Sequence, residues 1–155
     1  TNIPLPTPII QSNTPNIPGI DGQKMSKSYD NTIPIFAPEK ALRKRCMQIV
    51  TDSTPQEAPK NPDTCTIFHI HSLFLTPDQQ STLKARYKAG NIGYGTLKQE
   101  LYDTLLNHFK TARTSYTRLM ETPSSIHDIL EKGSEKARDV ARESLAGIKE
   151  KLGVS

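Results

Sequence analysis

Proline is the feature that most restricts how this chain folds. Seven of its twelve prolines fall within residues 1–38 (Pro4, Pro6, Pro8, Pro15, Pro18, Pro34 and Pro38). Inside a helix a proline removes a backbone donor and clashes with the preceding turn. That stretch therefore reads as loop with at most one short strand, near Pro8-Ile9-Ile10-Gln11. Pro18-Gly19 and Asp21-Gly22 carry turn chemistry, which places Lys24-Met25-Ser26-Lys27-Ser28 on an exposed, mobile loop.

From Pro38 onward the pattern changes to helical spacing. Pro38 suits a first helical position, and Ala41, Leu42, Arg45, Cys46 and Ile49 repeat on one face of a helix expected to stop near Thr51-Asp52-Ser53. Residues 54–63 hold Pro55, Pro59 and Pro62 and read as an exposed loop. Asp63 or Thr64 then caps a short apolar helix through Leu75, and Thr76-Pro77 starts a helix ending at Gly90. Two long helices are expected next. Leu97, Leu101, Leu105, Phe109, Ala112, Tyr116 and Leu119 keep one apolar stripe. The second helix, capped at Ser124 or Ser125, has Ile126, Leu130, Gly133, Ala137, Val140, Ser144, Ile148 and Leu152 on one face, with small residues that suit close approach of another helix.

Composition narrows function less than fold. An apolar fraction of 34% is low for a domain that completes its own core, and the start at Thr1 is what a truncated chain is expected to show. A net charge of +4 permits a polyanionic partner without requiring one. Cys46 and Cys65 form no CxxC pair, so reduced thiols in a cytoplasmic protein are expected rather than a zinc site or a disulfide framework. His69 and His71, two apart, do not share a helical face, which argues against a metal pair. No metal site and no membrane segment are expected.

The chemistry resides in Lys24-Met25-Ser26-Lys27-Ser28. Two lysines bracketing hydroxyls on a glycine-flanked loop can close over a polyphosphate; a solvated basic turn is the plainer alternative. The five residues match the KMSKS motif of class I aminoacyl-tRNA synthetases, and further blocks resemble one family within that class. Pro18-Gly19-Ile20-Asp21-Gly22-Gln23, Ile49-Val50-Thr51-Asp52-Ser53, Gly93-Tyr94-Gly95-Thr96-Leu97-Lys98 and Gly133-Ser134-Glu135-Lys136-Ala137-Arg138 resemble, in order, segments of bacterial-type tryptophanyl-tRNA synthetases. Each block also suits a plainer role in a helix end, a turn or close packing.

The resemblance implies a mainly α fold. Residues 1–37 would be the edge of a class I Rossmann catalytic domain carrying the KMSKS loop, and residues 38–155 a helical tRNA-binding domain. It implies Lys24 and Lys27 as catalytic groups, and Lys24, Met25, Ser26, Lys27 and Ser28 as the ATP-binding loop. ATP with Mg2+ is the implied substrate complex. Tryptophan and its tRNA are the implied partners, in a homodimeric parent enzyme. The family's HIGH-type motif and tryptophan pocket are not found here, so the chain alone is expected to be inactive. Asp52 is the candidate for a base contact, with Arg45 and Lys98 as candidates for phosphates. An autonomous tRNA-binding module and a fragment of a tyrosyl-tRNA synthetase are the alternatives.

Overall fold

A computed structural model describes residues 5–9 and 16–154. Among the described residues the chain forms six α-helices: α1 (Glu39–Met47), α2 (Thr66–Ser72), α3 (Pro77–Ala89), α4 (Tyr94–His108), α5 (Lys110–Glu121) and α6 (Pro123–Leu152). A 3-10 turn at Lys27–Tyr29 and an isolated antiparallel bridge from Pro18 to Lys24 complete the regular structure described. The mainly helical class expected after Pro38 is what forms. Of the short strand expected at Pro8–Gln11, Ile10 and Gln11 lie outside the described residues, and Pro8 and Ile9 are in irregular backbone. The chain divides into two compact units, Ile10–Arg113 and Thr1–Ile9 with Thr114–Ser155.

Within Ile10–Arg113 the helices start and stop for local chemical reasons. Glu39 in the first turn of α1 and Lys44 and Arg45 in its last turn oppose the charges at the helix ends. The helix closes at Met47, four residues before the expected stop, and Ile49 enters the core from the following loop. Helix α3 opens with a full capping box. The Gln79 N–H donates to Thr76 Oγ1 and the Thr76 N–H donates to Gln79 Oε1. It ends at Gly90, as expected. Helix α2 begins at Thr66 with Cys65 as its cap residue, later than Asp63 or Thr64.

Helix α4 is the spine of this unit. Leu97, Leu101 and Leu105, four apart, are at most 2% exposed and face α1 and α2. Leu42 and Cys46 of α1 and Ile67 and Ile70 of α2 share that core with Tyr87 of α3. The stripe that reads as one helix through Leu119 is interrupted at Phe109, where φ is −95° and ψ is 8°. Its ring packs edge-on against Phe74 at 5.7 Å and against His108 at 4.8 Å. The ladder survives the break, with Phe109 N–H donating to Leu105 O and Arg113 N–H to Phe109 O. Apolar periodicity continued through Phe109 because this aromatic cluster uses the same face.

His71 of α2 is buried, and its Nε2 lies 2.9 Å from Thr104 Oγ1 while Nδ1 has no protein partner. Burial pushes its pKa down, so the folded chain keeps it neutral. An unfolded chain binds a proton there as pH falls through about 6.5, so the folded state loses stability from that pH down to the lowered folded value. His71→Gln is expected to flatten this part of the curve. Urea midpoints at pH 8 and pH 5.5 measure it; equal losses in both proteins would remove His71 as the source.

In the other unit, α6 runs from Pro123, slightly ahead of the expected Ser124 or Ser125 cap, with Thr122 before it. It holds no buried residue. Leu130, Val140 and Leu152 of its stripe are exposed, and the place of a Cβ on Gly133 is open space.

Candidate functional site

The loop carrying Lys24 to Ser28 is built around one buried amide. Asn31, 1% exposed, donates through Nδ2 to Asp21 Oδ1 at 2.9 Å and to Lys24 O at 3.1 Å. Its Oδ1 accepts the Ser26 N–H at 2.7 Å. The Asn31 backbone carbonyl accepts the Ile20 N–H at 2.9 Å. One residue thus ties the lead-in, both ends of Lys24–Ser26 and the exit of the loop.

Gly19 makes that arrangement sterically feasible. A Cβ there would sit 2.4 Å from Asn31 Cγ and 2.7 Å from its carbonyl oxygen, closer than any side chain allows. Gly22 turns the chain with φ at +81°, as the Asp-Gly pair suggested. The Met25 N–H then donates to Ile17 O at 2.8 Å. Ser26 caps the 3-10 turn, accepting the Ser28 N–H on its hydroxyl at 3.2 Å. Asp30, with φ at +48°, closes the turn. Lys24 and Lys27 come out exposed, and neither ammonium meets a carboxylate among the described residues.

Asp52 lies in irregular backbone beyond α1 rather than at a helix end. Its Oδ1 accepts the Thr54 N–H at 2.9 Å and the Tyr94 hydroxyl at 2.7 Å. Hydrogen bonds from Thr54, then from Tyr94, hold its carboxyl below the usual carboxylate range. Burial, then the hydrogen bond to Asp52, pushes the Tyr94 hydroxyl up to about 12. Beside this pair opens a cleft of about 420 Å³ lined by Val50, Thr51, Asp52, Thr64, Thr66 and Tyr94.

Behind Tyr94 stands a feature that proline counting hid. Lys60, in the loop read as exposed, is 2% exposed. Its ammonium donates to Pro55 O at 2.9 Å, Ala58 O at 3.3 Å and Gln56 O at 3.4 Å, and lies 5.0 Å from the Tyr94 ring centroid. The lysine gathers the loop and presents the ring whose hydroxyl fixes Asp52.

The two cations expected to face phosphates have protein partners. Lys98 donates to Met47 O at 3.0 Å, against the C-terminal end of α1, and burial lowers its pKa. Arg45 donates through Nε to Thr32 O at 2.9 Å and through Nη2 to the Asp30 carbonyl and to Asp30 Oδ1. The structure places the motif loop and Asp52 on the same compact unit, joined by a 2.7 Å bond from the Val50 N–H to Ile20 O. Lys98 and Arg45 are each engaged with backbone carbonyls of that unit. Among the described residues no three His, Cys, Asp or Glu side chains gather as a metal site. No described helix is long and apolar enough to cross a membrane.

A loop with the KMSKS residues carried on a helical unit is the arrangement a part of a class I synthetase would have, and comparison with known proteins agrees. The family described as tRNA synthetases class I (W and Y) matches residues 4–110, so the chain belongs to that family. Among its relatives, the tryptophan–tRNA ligase of Fusobacterium nucleatum subsp. nucleatum is 47% identical over 150 residues, 97% of this chain and 46% of the relative. That of Campylobacter jejuni strain RM1221 is 45% identical, with 97% and 47% covered. The crystal structure of tryptophanyl-tRNA synthetase from Campylobacter jejuni complexed with ADP and tryptophan superposes with a TM-score of 0.80 at 47% identity, covering 90% of this chain and 44% of that one. The chain spans about half the length of these relatives.

Proposed function

We propose that this chain is the C-terminal part of a tryptophan–tRNA ligase, supplying the pyrophosphate clamp and a tRNA-reading surface to an active site whose remaining parts lie on residues outside it. Residues 1–37 would then belong to the catalytic domain and 38–155 to the tRNA-binding domain of a cytoplasmic, homodimeric enzyme. The observation that carries the reading is the buried Asn31 hub, which fixes the backbone from Lys24 to Ser28 while leaving both lysines exposed.

In this reading the tryptophan carboxylate attacks the α-phosphorus of ATP delivered with Mg2+, and the bond to the bridging oxygen breaks. Charge accumulates on the departing pyrophosphate. Lys24 and Lys27, with Ser26, Ser28 and the loop N–H groups, close on that charge and are worth most where it is greatest. The aminoacyl group then passes from the adenylate to a ribose hydroxyl at the tRNA 3′ end. Asp52, ionised and oriented by Tyr94, can accept from an amino group of an unstacked base entering the adjacent cleft.

The test uses the complete ligase with tryptophan or tyrosine and with wild-type or anticodon-substituted tRNA. Tryptophan is expected to be charged and tyrosine not; charging of tyrosine would move the chain to the sister enzyme. Asp52→Ala is expected to narrow the efficiency ratio between wild-type and anticodon-substituted tRNA by about tenfold, the size of one base-specific contact. An unchanged ratio would leave Asp52 as an anchor for Tyr94 alone.

A further inference from the structure

Arg45 carries the sharpest inference beyond this reading, and the inference rests on it. The guanidinium comes from the last turn of α1, with a side chain only 19% exposed, and reaches residues 30–32 on the exit of the motif loop. It grips Thr32 O and the Asp30 carbonyl, on either side of Asn31, and adds the Asp30 carboxylate at 2.9 Å. Gln48 Oε1 accepts from Nη1 at 3.3 Å and holds the guanidinium from the helix side. Asn31 meanwhile reaches the opposite way, to Ser26 N–H and Lys24 O.

These contacts form a chain of fixed geometry from α1 through Arg45 to residues 30–32, and through the Asn31 amide to the backbone beside Lys27. We infer that Arg45 is a positioning residue for tryptophan activation, aiming the lysines of the loop, and not a ligand of tRNA phosphate. A planar fork with several donors can clasp two carbonyls and a carboxylate together; a lysine offers one point charge and cannot span them. A displacement near 1 Å at a transition-state donor is enough to cost on the order of 10²-fold.

Tryptophan-dependent ATP–pyrophosphate exchange contains no tRNA, so it separates the two roles. In the complete ligase, Arg45→Ala is expected to lower the exchange kcat by about 10–100-fold. The KM for tryptophan should stay within about threefold, because the clasp holds the loop proposed to meet the leaving group. Arg45→Lys should fall between wild type and Arg45→Ala, and carries the test if Arg45→Ala does not fold. Combining Arg45→Ala with Lys27→Ala should add little to the loss from Lys27→Ala alone, since both act through one loop. A general folding defect would multiply instead.

Exchange within about threefold of wild type, with a raised tRNA KM in aminoacylation, would make Arg45 a phosphate contact and overturn the inference. Multiplying losses in the double variant would overturn it as well. Lys27→Ala is the control for the underlying reading. If it alone leaves exchange intact, the pyrophosphate-clamp function fails and the positioning role fails with it; a large Lys27 effect beside a silent Arg45 removes only the positioning role.

Discussion

Lys27→Ala in the complete ligase is expected to lower the rate of tryptophan activation about 10²–10³-fold, the loss seen when one preorganised transition-state donor is removed. Lys27 opens the 3-10 turn, with Ser26 capping the turn before it and Asp30 closing it after. Its ammonium is exposed while its backbone is fixed, an arrangement that serves a group needed only when negative charge develops. Tryptophan affinity should barely move, because the lysine acts on the leaving group. Pre-steady-state adenylate formation separates the two quantities. A rate within about threefold of wild type would eliminate Lys27 as a pyrophosphate stabiliser, whatever happened to overall turnover.

Leu101→Ala is expected to destabilise the fold by about 2–5 kcal/mol, the usual range for emptying a fully buried leucine site. Leu101 is 0% exposed and central in a row with Leu97 and Leu105, facing α1 and α2. Helix neighbours on both sides of the vacated space are held by their own backbone ladders, so the site has little freedom to collapse. The shift in urea midpoint at constant slope measures it. A loss below about 1 kcal/mol would show that α1 and α2 can close over the gap. Cys46, packed in the same core with its thiol pushed up to about 11 by burial, offers a second readout. Its reaction with a thiol reagent should accelerate in the variant as opening becomes more frequent.

The parts of this structure that were legible in the sequence are those governed by residues close together in the chain. Thr76-Pro77 announces α3, and Gly90 ends it, because caps are written within a few positions. The leucine row of α4 is equally plain. What periodicity could not show is Phe109, whose ring keeps the apolar spacing and packs on Phe74 while its own dihedrals interrupt the helix. For the same reason α1 reads too long: Ile49 has the right spacing but enters the core from a loop. At the candidate site the motif itself was legible from Lys24 to Ser28, and its support was not. Asn31 looks like an ordinary polar residue until Gly19 is brought against it by a turn, and Arg45 looks like a solvated base until the loop exit folds onto α1. The partner of Lys98 was hidden similarly, because only tertiary structure brings Met47 O to its ammonium.

Lys60 does for the loop at residues 55–58 what a bound cation does elsewhere, collecting carbonyl oxygens that would otherwise point apart. The difference is that this cation is covalently attached to the backbone it organises. A coordinated ion is lost to chelators, exchanged by competitors and limited by supply, whereas the effective concentration of a tethered ammonium is set by a few rotatable bonds. The order of this loop, and through Tyr94 the orientation of the Asp52 carboxylate, is therefore independent of the ionic composition around the protein in a way that a metal-built loop could not be.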